Sequence, residues 1–183
     1  RNFIKNAALT SAGLAVGGTL VNCAENNSKE NEVSTAATAE ASLPLVIATW
    51  HVIDATAKAM EVLKAGGNAL DAVEQGCKIE EANEKGQSVG KGGLPDRDGN
   101  VTLDACIMDK HGNCGSVVYL QNITHAVSVA RKVMEDTPHV MLAGEGAKQF
   151  AISNGFKAED LLTEASKEAW EKWKVEAKYK PII

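Results

Sequence analysis

The sequence predicts an α/β (α+β) fold, with helices layered against a sheet that has an antiparallel hairpin in it. Three observations carry that expectation. A continuous apolar run from Leu43 to Trp50 reads as a buried strand. Residues Val101 to Asp109 alternate Val, Leu, Ala and Ile against Thr, Asp, Cys and Met, the period of a strand with two unlike faces. Around these lie segments whose apolar residues recur at helical spacing. A hairpin flanked by helices favours a layered sandwich over a purely parallel sheet.

The chain opens Arg1-Asn2-Phe3-Ile4-Lys5, and small and apolar residues follow from Ala7 to Val21. A basic start before such a run is the pattern of an export signal, too short and glycine-rich for a comfortable membrane span. The opening resembles the second half of a twin-arginine signal. Leu20-Val21-Asn22-Cys23 resembles a bacterial lipobox with Cys23 as the acylated residue; an ordinary signal with an incidental cysteine is the alternative. Residues 24–42 are small and polar, cannot bury a core, and read as a flexible tether. The expected organisation is therefore an export signal over 1–23, a tether over 24–42 and a folded part over 43–183. The expected location is the periplasm, or the membrane surface as a tethered lipoprotein of a bacterium.

Within the folded part, Val52, Ala55, Ala59, Val62 and Leu63 define a first helix that Gly66 and Gly67 end. Asn68 caps a second, with Asp71 placed to return a hydrogen bond. Leu70, Val73 and Cys77 form its apolar stripe, and Ala69, Ala72 and Gly76 a slim flank for close packing. Pro95 to Asn100 is a turn. Lys110-His111-Gly112-Asn113 turns the alternating strand into Cys114–Gln121 as a hairpin. A helix over Ala126–Glu135, a short strand over His139–Ala143 and a helix over Gly146–Asn154 follow. The last helix runs from Thr163 to Lys178, with Trp170 and Trp173 on one face and Glu168 paired with Lys172. No internal repeat is evident.

The 183 residues suffice for one domain with a real core, and the net charge of −5 without a basic patch argues against nucleic-acid binding. The cysteines (Cys23, Cys77, Cys106, Cys114) form no C-x-x-C pair and the histidines show no ligand spacing, so no metal site is expected. Gly90-Lys91-Gly92-Gly93 lacks the Lys-Ser/Thr pair of a phosphate loop. It also fails as a dinucleotide fingerprint, because Pro95 stands at the third glycine position and the context is helix, turn, strand. Two readings stay open: a tight turn, or a backbone thinned so that another group can approach it beside Ser88. No complete catalytic constellation is legible from spacing.

Several segments together resemble the glycosylasparaginase family of N-terminal-nucleophile hydrolases, the asparaginase type 2 group. They are "PLVIATW", "GGNALDAV", "SVGKGGLPD", "TLDACIMD", "VSVARKVMEDTPHV", "LAGEGAKQFAISNGF" and "YKPI", in order from Pro44 to the end. The resemblance implies a four-layer αββα sandwich and a precursor that cuts itself before a Thr. That Thr hydroxyl, with its own α-amine as base, attacks the side-chain amide of asparagine carrying N-acetylglucosamine. It implies no metal or organic cofactor.

The resemblance places the nucleophilic Thr shortly beyond Ile183, on a β-subunit, with two αβ units forming a dimer of heterodimers. This chain then corresponds to the α-subunit portion and contains no catalytic residue of its own. Trp50 and Ser88 match substrate-pocket residues, and Gly90, Gly92 and Gly93 a loop near the nucleophile; plain core is the alternative for Trp50. Val52 and Lys91 stand where the family often has aromatics, which thins the lining. Asp104 is expected to be a buried hydrogen-bonding residue. Two other functions remain in view: an asparaginase or isoaspartyl peptidase with a smaller substrate, and a lipid-tethered binding protein without the chemistry. An α-portion alone would leave sheet edges and apolar faces bare.

Overall fold

Helices and the hairpin form where the periodicity places them; the expected strands at the start of the folded region and from His139 do not form in full. The structure is a computed structural model that describes residues 43–178. The export signal, Cys23, the tether and the "YKPI" segment from Tyr179 lie outside the described residues.

Helix α1 (Ile53–Lys64) buries Ala55 and Ala59. Helix α2 (Ala69–Glu81) is capped by Asn68, whose side chain accepts the Asp71 N–H at 2.9 Å. The return bond runs between side chains, from Asn68 Nδ2 to Asp71 Oδ2 at 2.6 Å. The slim flank of α2 packs on α1. A Cβ at Gly76 would lie 2.8 Å from the Ala55 carbonyl oxygen, so only a bare backbone permits the approach. That contact turns the expected apolar stripe outward. Leu70 reaches the core, but Val73 and Cys77 are exposed.

Strands β1 (Thr102–Met108) and β2 (Cys114–Gln121) pair antiparallel, and β3 (Leu142–Ala143) joins β2 in parallel, in the order β1-β2-β3. The expected strand from His139 shrinks to its last two residues, and Ser116 Oγ donates to the Val140 carbonyl at 2.7 Å instead. The β1–β2 register shifts between Leu103 and Ala105. There Asp104 accepts the Tyr119 N–H at 2.7 Å, and Tyr119 has φ 55°. Asp104 is thus a hydrogen-bonding residue, but an exposed one: its carboxylate satisfies backbone at an irregularity on the open face.

Helices α3 (Ala126–Asp136), α4 (Gly144–Ser153) and α5 (Glu164–Glu176) complete the fold. Leu103, Ile107, Val117 and Leu120 of the sheet share one core with Val129 and Val133 of α3 and Ala147 and Ala151 of α4. Helices α3 and α4 pack on one face of a small mixed sheet, and Asp104, Cys106 and Met108 of β1 are exposed on the other.

Matching five-residue turns bracket β1, Asp96-Arg97-Asp98-Gly99-Asn100 and Asp109-Lys110-His111-Gly112-Asn113. In each, the aspartate Oδ1 accepts the N–H two and four residues on, and its own N–H donates to the asparagine carbonyl. The glycines sit at φ 93° and 84°. On the outside, Trp170 of α5 lies against Gly99 and donates to the Arg97 carbonyl at 3.2 Å, with Lys174 Nζ 3.3 Å from the ring centroid. Lys172 pairs with Glu176 at 3.8 Å, one turn on, rather than with the expected Glu168 one turn back.

The segment Leu43–Trp50 forms no strand. Its composition suits a buried strand, yet no neighbour among the described residues offers a ladder, and Leu45, Ile47 and Trp50 are exposed.

Candidate functional site

A cavity of about 410 Å³ opens between the segment 46–48, α1, α2, the glycine loop, β1 and the start of α3. Three of these walls come from the resembling segments: Val46 to Ala48, Ser88 to Gly90, and Thr102 to Cys106. The outward residues of α2, Val73 and Cys77, form a fourth. Its surface is mostly apolar, and the charged residues on it are all acidic: Glu80, Glu81 and Asp104.

The glycine loop is held from three sides. Gly90 (φ 64°) crosses the end of α2, where an added Cβ would overlap the Glu81 carbonyl; the Lys91 N–H donates to that oxygen at 2.8 Å. Gly92 (φ 91°) passes Glu84, and its N–H donates to the Leu161 carbonyl at 2.8 Å. Its carbonyl accepts from Ser166 Oγ, a fully buried hydroxyl. The close approach that these glycines permit is thus to the chain's own helix end. Fixing the loop there leaves Ser88 at the cavity wall.

Of the residues expected at the site, Ser88 and Gly90 line the cavity, and Gly92 and Gly93 are buried behind it. Trp50 follows the wall segment and is 67% exposed, so it is not a core residue of the described fold. Val52 lines the cavity, so the side chain at that position bears on its shape. Lys91 does not; its ammonium turns to Glu84 at 2.8 Å and Glu159 at 3.5 Å. Those carboxylates, Glu84 foremost, hold its pKa above the ordinary lysine value. Cys77 and Cys106 both line the cavity, and with Cys114 they are free thiols. Cys77 is exposed as a residue, but partial desolvation of its sulfur in the cavity wall, and then the nearby Glu81, push the thiol pKa up, so it is not activated as a thiolate. Among the described residues no group of His, Cys, Asp and Glu is placed to hold a metal ion.

Glu81 is the wall residue that sequence reasoning missed. Its carboxylate accepts the Val127 N–H at 2.8 Å with Oε1, while Oε2 lies 3.3 Å from His125 Nδ1. One signal was available: an acid at the C-terminal end of a helix opposes the macrodipole, so it needs a partner elsewhere. A second cross-link ties α2 to α3. Arg131 donates to Asp71 at 2.7 Å, Glu74 at 2.8 Å and Glu135 at 2.8 Å. Asp71 of "GGNALDAV" and Arg131 of "VARK" are therefore scaffold, joining the two helices behind the cavity.

The sequence profile of the family described as Asparaginase matches residues 33–181. The chain belongs to the asparaginase family. Within it, the chain is similar to an N(4)-(β-N-acetylglucosaminyl)-L-asparaginase of Elizabethkingia miricola, 46% identical over 184 aligned positions that cover 100% of this chain and 52% of that protein. The proteins of the same name from Rattus norvegicus and Mus musculus are 48% and 46% identical over 132 positions, covering 72% of this chain and 38% of each. This asparaginase-family chain thus spans about half the length of the bacterial relative and less of the mammalian ones.

Proposed function

We propose that this chain is the N-terminal portion of an amidohydrolase that cleaves the side-chain amide of N4-(β-N-acetylglucosaminyl)-L-asparagine. The observation that carries this is 46% identity across the whole chain to a bacterial protein named for that activity. The cavity walled by the same resembling segments supports it. The remaining part of the protein supplies the nucleophilic Thr and the second half of a four-layer αββα sandwich. The open sheet face with Cys106 and Met108, and the unpaired apolar segment before Trp50, are the surfaces it covers.

In this arrangement Trp50 and Ser88 contact substrate, and Gly90, Gly92 and Gly93 hold the loop beside the Thr. The hydroxyl attacks the amide carbonyl, the α-amine takes its proton, the sugar amine leaves, and water frees aspartate. Two αβ units associate. Residues 1–23 export the protein, Cys23 anchors it through lipid, residues 24–42 space it from the membrane, and residues 43–183 form the α-portion.

Val52 in the cavity wall favours a second reading, in which a smaller asparagine or isoaspartyl substrate is preferred. The test is to express the full-length protein and compare turnover of glycosyl-asparagine, L-asparagine and an isoaspartyl dipeptide. Fastest release of aspartate from the glycosylated substrate is expected. Preference for either small substrate establishes the second reading, and no hydrolysis of any leaves a binding protein.

A further inference from the structure

We propose that Glu81 is the positioning residue of the cavity, fixing the spacing between the loop that carries Ser88 and the first turn of α3. Its kinetic consequence rests on the amidohydrolase reading; its geometry does not. Glu81 ends α2 and is 7% exposed. Its backbone carbonyl holds the loop through the Lys91 N–H, with Gly90 packed against it. Its side chain reaches the other way, taking the Val127 N–H with one oxygen and meeting His125 with the other.

Val127 and Ala126 form one cavity wall, and Ser88 to Gly90 another. Both walls hang from the two ends of one residue. A carboxylate suits the start of α3 because it complements the unpaired amides and the positive end of the dipole. At the end of its own helix the same charge is unfavourable, so the residue's local setting does not account for it and the cross-contact does. Loosening the side chain frees the α3 start from the loop without removing any cavity-lining group from the opposite wall.

The test compares Glu81→Ala and Glu81→Gln in the full-length protein, by amide hydrogen exchange and by steady-state kinetics. Glutamine retains an oxygen for the Val127 N–H. In the alanine variant, exchange over residues 126–129 is expected to speed up by about tenfold, the loss of one buried hydrogen bond, while residues 88–93 stay tied to the Glu81 carbonyl and hold. Exchange over β2 stays unchanged. KM rises by a similar factor while kcat holds, and glutamine restores both readouts to within about threefold. Unchanged exchange at 126–129 would overturn the proposal. So would faster exchange throughout the chain, or an alanine variant with unchanged KM. If the parent protein hydrolyses no amide, the functional reading fails and the exchange pattern alone decides the positioning role.

Discussion

Replacing Gly92 with alanine tests whether the glycine loop is pinned as the geometry requires. The added Cβ would lie 2.6 Å from the Glu84 carbonyl oxygen, against 3.4 Å for ordinary contact, so the backbone must yield by about 0.8 Å. It has no slack to do so. The Gly92 N–H is bonded to Leu161 at 2.8 Å, and its carbonyl accepts from the buried Ser166 hydroxyl. A shift of that size ruptures one or both bonds, at about 1 kcal/mol for the amide and about 1–3 kcal/mol for a buried hydroxyl left unpaired. Holding a non-glycine residue at φ 91° adds about 1 kcal/mol. The expected loss is roughly 3 kcal/mol, a fall in Tm of several degrees and about threefold that of a 1 kcal/mol change in the same protein. Gly112→Ala is the control, because Gly112 has φ 84° but nothing within 4 Å of an added Cβ. It should lose only about 1 kcal/mol. Thermal unfolding of both variants in the full-length protein measures the difference. Equal losses would refute the pinned loop and, with it, the fixed position of Ser88.

Three further outcomes are expected. Arg131→Met removes the link between α2 and α3 and leaves three carboxylates facing one another, costing about 2 kcal/mol in low salt and less in high salt; urea unfolding at two ionic strengths checks this, and Arg131→Lys should not restore it. Glu159 has its pKa held below the usual 4.5, first by the Thr124 hydroxyl and also by Lys91. A depressed carboxylate stabilises the fold above its unfolded pKa and loses that contribution as pH falls through its folded pKa. Thr124→Val should therefore be less stable than the parent near pH 6, with the gap closing as a melting series descends through pH 4.5 toward pH 3. Trp50→Ala should lower turnover by roughly tenfold while moving Tm little, because the ring is 67% exposed in the described fold; equal losses in both would make it a packing residue of the assembled protein.

Local signals gave the helices and the hairpin. Asn68, Gly66 and the alternation over Val101–Asp109 each act within a few residues, so their outcome is nearly independent of the rest of the chain. The run Leu43–Trp50 carries an equally strong pattern but needs a neighbouring strand, and pairing is a property of two segments. The α2 stripe went wrong for a related reason. Two apolar faces competed for the same neighbour, and the flank of Ala72 and Gly76 won because α1 could approach it to backbone distance. Hydrophobicity alone ranks Val73 and Cys77 above those small residues; close packing reverses the order.

The same logic separates the two kinds of residue at the cavity. The glycine run marked a constrained loop, borne out by the positive φ of Gly90 and Gly92 and their crossing of a helix end, but Ser88 was singled out only by the family resemblance. Glu81 and Arg131 were not legible, since each acts across 44 to 60 residues of sequence on a partner that spacing cannot name. Yet both obey one rule. Glu81 sits at the wrong end of its helix for its charge, and Arg131 is only 20% exposed, too buried for an unpaired cation. A charge that its local setting disfavours must be compensated from elsewhere in the fold, and here the compensation joins α2 to α3 twice, once at the cavity wall and once away from it. The resembling motifs therefore include scaffold. "GGNALDAV" and "VARK" supply the rigid helix pair against which the Ser88 loop is held.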